Sequence, residues 1–130
     1  YVQQRCTEIL SEWGGRQLGL WFDEEFCSND PQSAWSNAQL VLGLHPDQAT
    51  DYIVKCSIAA GKPFAVVPCC VYPTEFSHRR LKSGEPVRSR EELCQYLCEL
   101  PPDIQMIQVP SIPGPCCTVC YYVPEKVEAV

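Results

Sequence analysis

Two short runs decide what this chain can fold into. QLVLGL, from Gln39, and PFAVV, from Pro63, are apolar at successive rather than alternate positions. That is the pattern of a strand buried on both faces, as in the interior of a parallel sheet. Between them lies a segment with helical signals at both ends. Asp47 stands at the cap position, Ala49, Ile53, Cys56 and Ala60 form one stripe, and Gly61 with Pro63 stops it. Strand, helix, strand is the unit that lets two parallel strands share a sheet, because a parallel connection needs a crossover of about a dozen residues or more.

The flanking segments extend this unit. Val2, Cys6, Ile9, Leu10 and Trp13 have helical spacing and end at Gly14-Gly15, and QLGLWF then alternates Leu18, Leu20 and Phe22 as a strand does. DEEFCSNDPQSAW reads as an acidic, turn-rich connector. After the second apolar run, residues 79–90 have no period and read as a basic excursion loop. Ser89 and Glu92 form an S-x-x-E capping box for a helix with Leu93, Tyr96, Leu97 and Leu100 toward the core, ended by Pro101-Pro102. IQMIQV and CCTVCYYV are two closing strands, and SIPGP between them is too short for a parallel crossover, so they pair antiparallel. The expectation is one α/β domain over residues 1–130. It is a three-layer, Rossmann-like arrangement with a mainly parallel sheet closed by an antiparallel hairpin.

Charge and cysteine content narrow the classes of function. A net charge of -6 argues against holding nucleic acid by the whole surface, since such affinity comes mainly from cations meeting phosphates. The basic residues are nevertheless uneven: Arg79, Arg80, Lys82, Arg88 and Arg90 are five of the ten. This run reads either as a solvated face or as a local anion contact through Arg79 and Arg80. No apolar run approaches the ~20 residues of a bilayer span, and no targeting signal is visible at the start. Of the ten cysteines, Cys6, Cys56, Cys94 and Cys98 lie in helical patterns and Cys69, Cys70, Cys116, Cys117 and Cys120 in strand-like runs rather than punctuating loops. They therefore read as small buried hydrophobes in a reducing, intracellular compartment, cytosol or organelle matrix.

Ligands in open α/β sheets sit beyond the carboxyl ends of the parallel strands, which here selects HPDQATD after QLVLGL and PCCVYP after PFAVV. LVLGLHPDQATDYIVKCSIAAGKPFAVVPCCVYP resembles the second half of a class I S-adenosylmethionine-dependent methyltransferase domain. It is most similar to the tRNA acceptor-stem ribose methyltransferase group, in which the fourth strand runs into G-L-H-x-x-x-x-A-T-D and the fifth ends in Cys-Cys. The resemblance covers roughly residues 39 to 72. It implies that Gly43, His45 and Pro46 lie beside the methyl donor, that His45, Asp47, Cys69 and Cys70 border the reacting atoms, and that Thr50 and Asp51 open a helix able to receive a polar substrate group.

The chain departs from the family at the cofactor grip. Nothing before QLVLGL supplies a glycine-rich turn after a first strand or an acidic residue ending a second, since Gly14-Gly15 follows a helix. The resemblance therefore implies a domain lacking its first strands, with no cofactor in this chain alone and S-adenosylmethionine only if the missing half is present. In the family the fourth strand is central. Without its neighbour, the edge of QLVLGL requires cover from QLGLWF, from a missing N-terminal segment or from another protein chain.

Each candidate residue also has a plain structural role. His45 is a base or substrate contact, or a turn residue; Asp47 is a site residue, or a helix cap. His78 reads as solvated, and Tyr121-Tyr122 as sheet packing. Cys69 and Cys70 admit a vicinal disulfide, a metal clip, a nucleophile, or small side chains flooring a pocket. Adjacent strand residues point apart, and no other Cys or His completes a zinc set, since Cys117 and Cys120 face opposite sides and Cys94 and Cys98 lack partners. The floor of a pocket is the reading preferred. Three functions are in play: a degenerate or partial methyltransferase-like domain acting as an interaction subunit, the second half of an active methyltransferase, and a small thiol redox or metal-binding protein.

Overall fold

The computed structural model describes residues 8–111 and 117–125. In chain order its elements are α1 (Glu24–Asn29), β1 (Val41–Leu44), α2 (Thr50–Ala59), β2 (Phe64–Val67), α3 (Arg90–Glu99), β3 (Gln105–Gln108) and β4 (Thr118–Tyr122). Short 3-10 turns lie at Pro31–Ser33 and Asp47–Ala49. Residues 8–12 are helical and Gly14 follows with φ 74, the left-handed stop expected there, while Val2 and Cys6 lie outside the described residues. Most of the SIPGP turn lies outside them too.

The fold is mixed α/β with an open four-stranded sheet in the order β1-β2-β4-β3. The two apolar runs pair in parallel, Val41 opposite Phe64 through Leu44 opposite Val67, with α2 as the crossover. Both other pairings, β2 with β4 and β3 with β4, are antiparallel. The expectation of a mainly parallel sheet is thus corrected. The last strand of the hairpin inserts beside β2 rather than at the edge, and it runs antiparallel to both of its neighbours.

Register shows which face is covered. Val41, Gly43, Phe64, Val66, Thr118 and Cys120 share one face and are all buried. On this face α2 packs against β1 and β2, and α3 against β3 and β4. Ile53, Val54, Leu93, Leu97 and Ile104 complete the core with Leu81 and Val87 from the excursion loop. The described elements therefore stack in two layers rather than three. Leu42 (63% exposed) and Leu44 (74%) stand on the uncovered face of β1. These two show that QLVLGL is not buried on both sides within the described residues.

Local chemistry explains most boundaries. Ser89 Oγ accepts from the Glu92 backbone N–H at 3.1 Å and Glu92 returns a carboxylate to the Ser89 N–H at 2.9 Å, the expected capping box of α3. Gly61 ends α2 at φ 63. The stripe that α2 buries is Thr50, Ile53, Val54 and Ser57, rotated from the expected Ala49, Ile53, Cys56 and Ala60. Small and β-branched side chains allow α2 to approach the sheet, and Gly43 is where it comes closest. A Cβ at Gly43 would lie 2.8 Å from Ile53 Cδ1 and 3.0 Å from Val66 Cγ1.

Two other expectations fail in the first forty residues. QLGLWF forms no strand: it carries Gly19, which weakens a strand, and it does not pair with the open edge of β1; Phe22 instead packs its ring against Phe26 and Trp35. The acidic connector holds α1, capped by Asp23, which accepts from the Phe26 N–H at 2.8 Å. D-E-E ahead of an apolar residue is a helix start that the turn-forming composition masked.

Candidate functional site at the carboxyl ends of β1 and β2

Both runs discharge their chains at one end of the sheet, and the loops that follow are tied together. Cys69 Sγ donates to Asp47 Oδ1 at 3.0 Å, and Gln48 Nε2 donates to both Glu75 carboxylate oxygens at 3.0 and 3.2 Å. Behind them Arg79 Nε and Nη2 grip Asp51 at 3.0 and 3.1 Å, while Arg79 Nη1 holds the Val71 carbonyl at 2.8 Å. The guanidinium lies 3.9 Å from the Phe76 ring centroid. The loop after β2 is thus pinned to the start of α2 by charge-assisted bonds in the interior.

This arrangement revises several site assignments. Arg79 is only 1% exposed and committed to Asp51, so it faces no substrate, and Asp51 is equally enclosed. Thr50 is buried, with its hydroxyl donating to the Asp47 carbonyl at 2.8 Å. Arg80 is exposed, but its Nη1 bonds the Ser77 and Arg79 carbonyls at 2.9 and 3.2 Å and so braces its own loop. Gly43 is buried, with Ile53 and Val66 close enough to crowd any added Cβ. Asp47 is not a helix cap: it opens the 3-10 turn ahead of α2 with φ 48 and sends its side chain to Cys69.

Backbone strain gathers here. His45 (φ 50), Asp47 (φ 48) and Tyr72 (φ 47) all occupy the left-handed region, which non-glycine residues adopt at a cost. The His45 N–H bonds the Val67 carbonyl at 3.2 Å, extending the β1–β2 ladder by one residue before the chain turns at Pro46. Its ring is exposed, and Cys69 passes its hydrogen bond to Asp47 instead. His78 is also exposed, as expected.

Burial pushes the Cys69 thiol up to about 11, and the hydrogen bond to Asp47 adds to this. At neutral pH Cys69 is therefore a proton donor to the carboxylate, not a thiolate nucleophile. Burial, followed by the negative charge of Asp47, raises Tyr72 as well. Asp47, Cys69 and Cys70 bring their ligand atoms within 4.8 Å of one another. The expected divergence of Cys69 and Cys70 fails because β2 ends at Val67; past Pro68 the chain no longer alternates faces.

Beside Asp47 opens a cleft of about 500 Å³ lined by Trp21, Phe22, Pro46, Gln48 and Tyr52 among others. Neither Trp21 nor Tyr52 was legible as lining this cleft: QLGLWF read as a strand, and Tyr52 lay outside the stripe expected of its helix. Two further thiol groups lie elsewhere. Cys27 of α1 lies by Cys56 of α2, and Cys120 of β4 lies by Cys94 and Cys98 of α3, close enough for each group to raise the Cys27 and Cys120 thiols. All cysteines among the described residues are unpaired thiols, and none of the described helices is long and apolar enough to cross a membrane. Comparison of the chain with protein-family models, with curated proteins and with solved structures found no match.

Proposed function

We propose that the protein is a methyltransferase-like α/β domain that works as an interaction subunit, accepting a strand from another protein chain along β1. One observation carries this: β1 is an edge strand whose outward side is apolar and unpaired among the described residues. The Val41 N–H points to Pro63 and the His45 N–H to Val67, so the alternate residues Leu42 and Leu44 direct their N–H and C=O away from β2. Their side chains are exposed as well, and an apolar edge left open promotes indiscriminate pairing. In the resembling family the corresponding strand is central, which supports a strand lying there.

The test is a comparison of complexes isolated from the native source with the wild-type chain and with L42K/L44K. The reading requires one chain at stoichiometric ratio on the wild type, loss of it from the variant, and slowed amide exchange at Leu42 and Leu44 in the complex. A partner retained equally by both forms refutes it.

A second reading, methyl transfer from S-adenosylmethionine with the substrate at the β1 and β2 ends, is favoured by the convergence of His45, Asp47, Cys69 and Cys70 on that end of the sheet. Cofactor titration by calorimetry decides between them. Micromolar binding by the chain supports transfer and overturns a purely structural role.

A further inference from the structure

We infer that Asp47, Cys69 and Cys70 form a binding site for a thiophilic divalent cation, zinc in particular, with two thiolates, one carboxylate and an open fourth position.

The geometry brings the ligand atoms within reach of one ion. Tetrahedral zinc, with Zn–S of about 2.3 Å and Zn–O of about 2.1 Å, places neighbouring ligand atoms about 3.6–3.8 Å apart. The three ligand atoms already lie within 4.8 Å of one another, and the Cys69–Asp47 separation of 3.0 Å needs only a small opening to admit the ion. Side-chain rotation at exposed Cys70 and Asp47 supplies that movement without disturbing the core.

The donor set selects the class of ion. Two sulfurs with one oxygen favour zinc and its softer neighbours over magnesium or calcium, which take oxygen ligands. Binding is a proton exchange without electron transfer: the Cys69 and Cys70 S–H protons pass to solvent and each sulfur bonds the metal. The hydrogen bond from Cys69 to Asp47 then becomes joint ligation. Three protein ligands with the fourth position facing solvent is the pattern of a reactive rather than a purely structural centre.

An independent feature supports a built site. The two ligand-bearing loops are pinned before any ion arrives, by Gln48 to Glu75 across their rim and by the buried Arg79 joining Asp51 to the Val71 carbonyl. Cys69 and Cys70 precede Val71 directly, so the same arginine positions both the thiol segment and the helix that follows Asp47. The other thiol groups, Cys27 with Cys56 and Cys94 with Cys98 and Cys120, do not bring three ligand atoms including a carboxylate to a shared point among the described residues.

The test uses the full chain, reduced and treated with chelator, then titrated with Co²⁺ and separately with Zn²⁺ against a chromogenic chelator. The inference expects one equivalent bound, with intense thiolate-to-cobalt absorption and visible bands of tetrahedral strength. C69S and C70S should each abolish the charge-transfer band, and D47N should weaken zinc by tenfold or more while the far-ultraviolet circular dichroism stays unchanged. Because C69S could perturb folding, the exposed C70S variant provides the second reading. Absence of thiolate absorption in the folded wild type overturns the inference. So does a band that survives C70S and vanishes in C94S.

Discussion

Arg79 and Asp51, 28 residues apart in sequence, meet as a two-pronged ion pair in the interior, with Arg79 1% exposed and the Asp51 side chain 7%. The pair joins the loop after β2 to α2, and removing one member leaves the other charged and enclosed. R79M or D51L alone should cost about 3–5 kcal/mol in denaturant unfolding, whereas R79M/D51L together should recover most of the loss. Additive losses would show that each residue acts through separate contacts.

Gly43 should tolerate no side chain while Ile53 keeps its full length. G43A forces a methyl group against Ile53 Cδ1 and Val66 Cγ1, both in the core, and an overpacked site of this kind costs about 1–3 kcal/mol. I53V removes the closest atom. A double-mutant cycle should therefore find G43A/I53V less destabilised than the sum of the two changes.

The capping box of α3 should make stability acid-sensitive. Hydrogen bonds from the Arg88 and Ser89 backbone N–H groups hold the Glu92 carboxyl below its ordinary 4.5. A carboxyl lowered in the fold stabilises it above 4.5, and this support disappears as pH falls through the lowered value. S89A should cost about 1 kcal/mol at neutral pH. E92Q should flatten the unfolding midpoint against pH below 4.5, where the wild type declines.

At the alkaline end the sign reverses. Burial, followed by the hydrogen bond to Cys56, pushes the Cys27 thiol from 9.0 to about 12. A thiol raised in the fold supports it fully below pH 9.0 and progressively less as pH climbs toward 12. Thermal midpoints should fall across that window, and C27S should fall less. Cys70, which is exposed, should alkylate ahead of Cys27 and of buried Cys120 when followed by mass spectrometry in the chelated protein.

Legibility in the sequence followed the range of the interaction. The crossover between two apolar strands, the Ser89–Glu92 box, the Gly61 stop and the antiparallel closing pair all rest on contacts within a few residues or on a connection length, and each was readable as written. That the loops after the two parallel strands come together was readable too, since the carboxyl ends of parallel strands follow from topology. Arg79 was not. A basic run looks solvated until the fold supplies Asp51 and removes the water. Nor was the Cys69–Asp47 contact visible, because strand periodicity sends Cys69 and Cys70 apart and only the early end of β2 turns them to one side. Alternation in QLGLWF promised a strand, but a strand needs a partner, and that choice belongs to the assembled sheet. The chain by itself determined the elements from QLVLGL onward and their order, but not the missing strand at QLGLWF or the helix α1. Tertiary structure decided which charges are buried, which face of β1 stays open and which three ligand atoms meet, because each depends on desolvation and on groups distant in sequence.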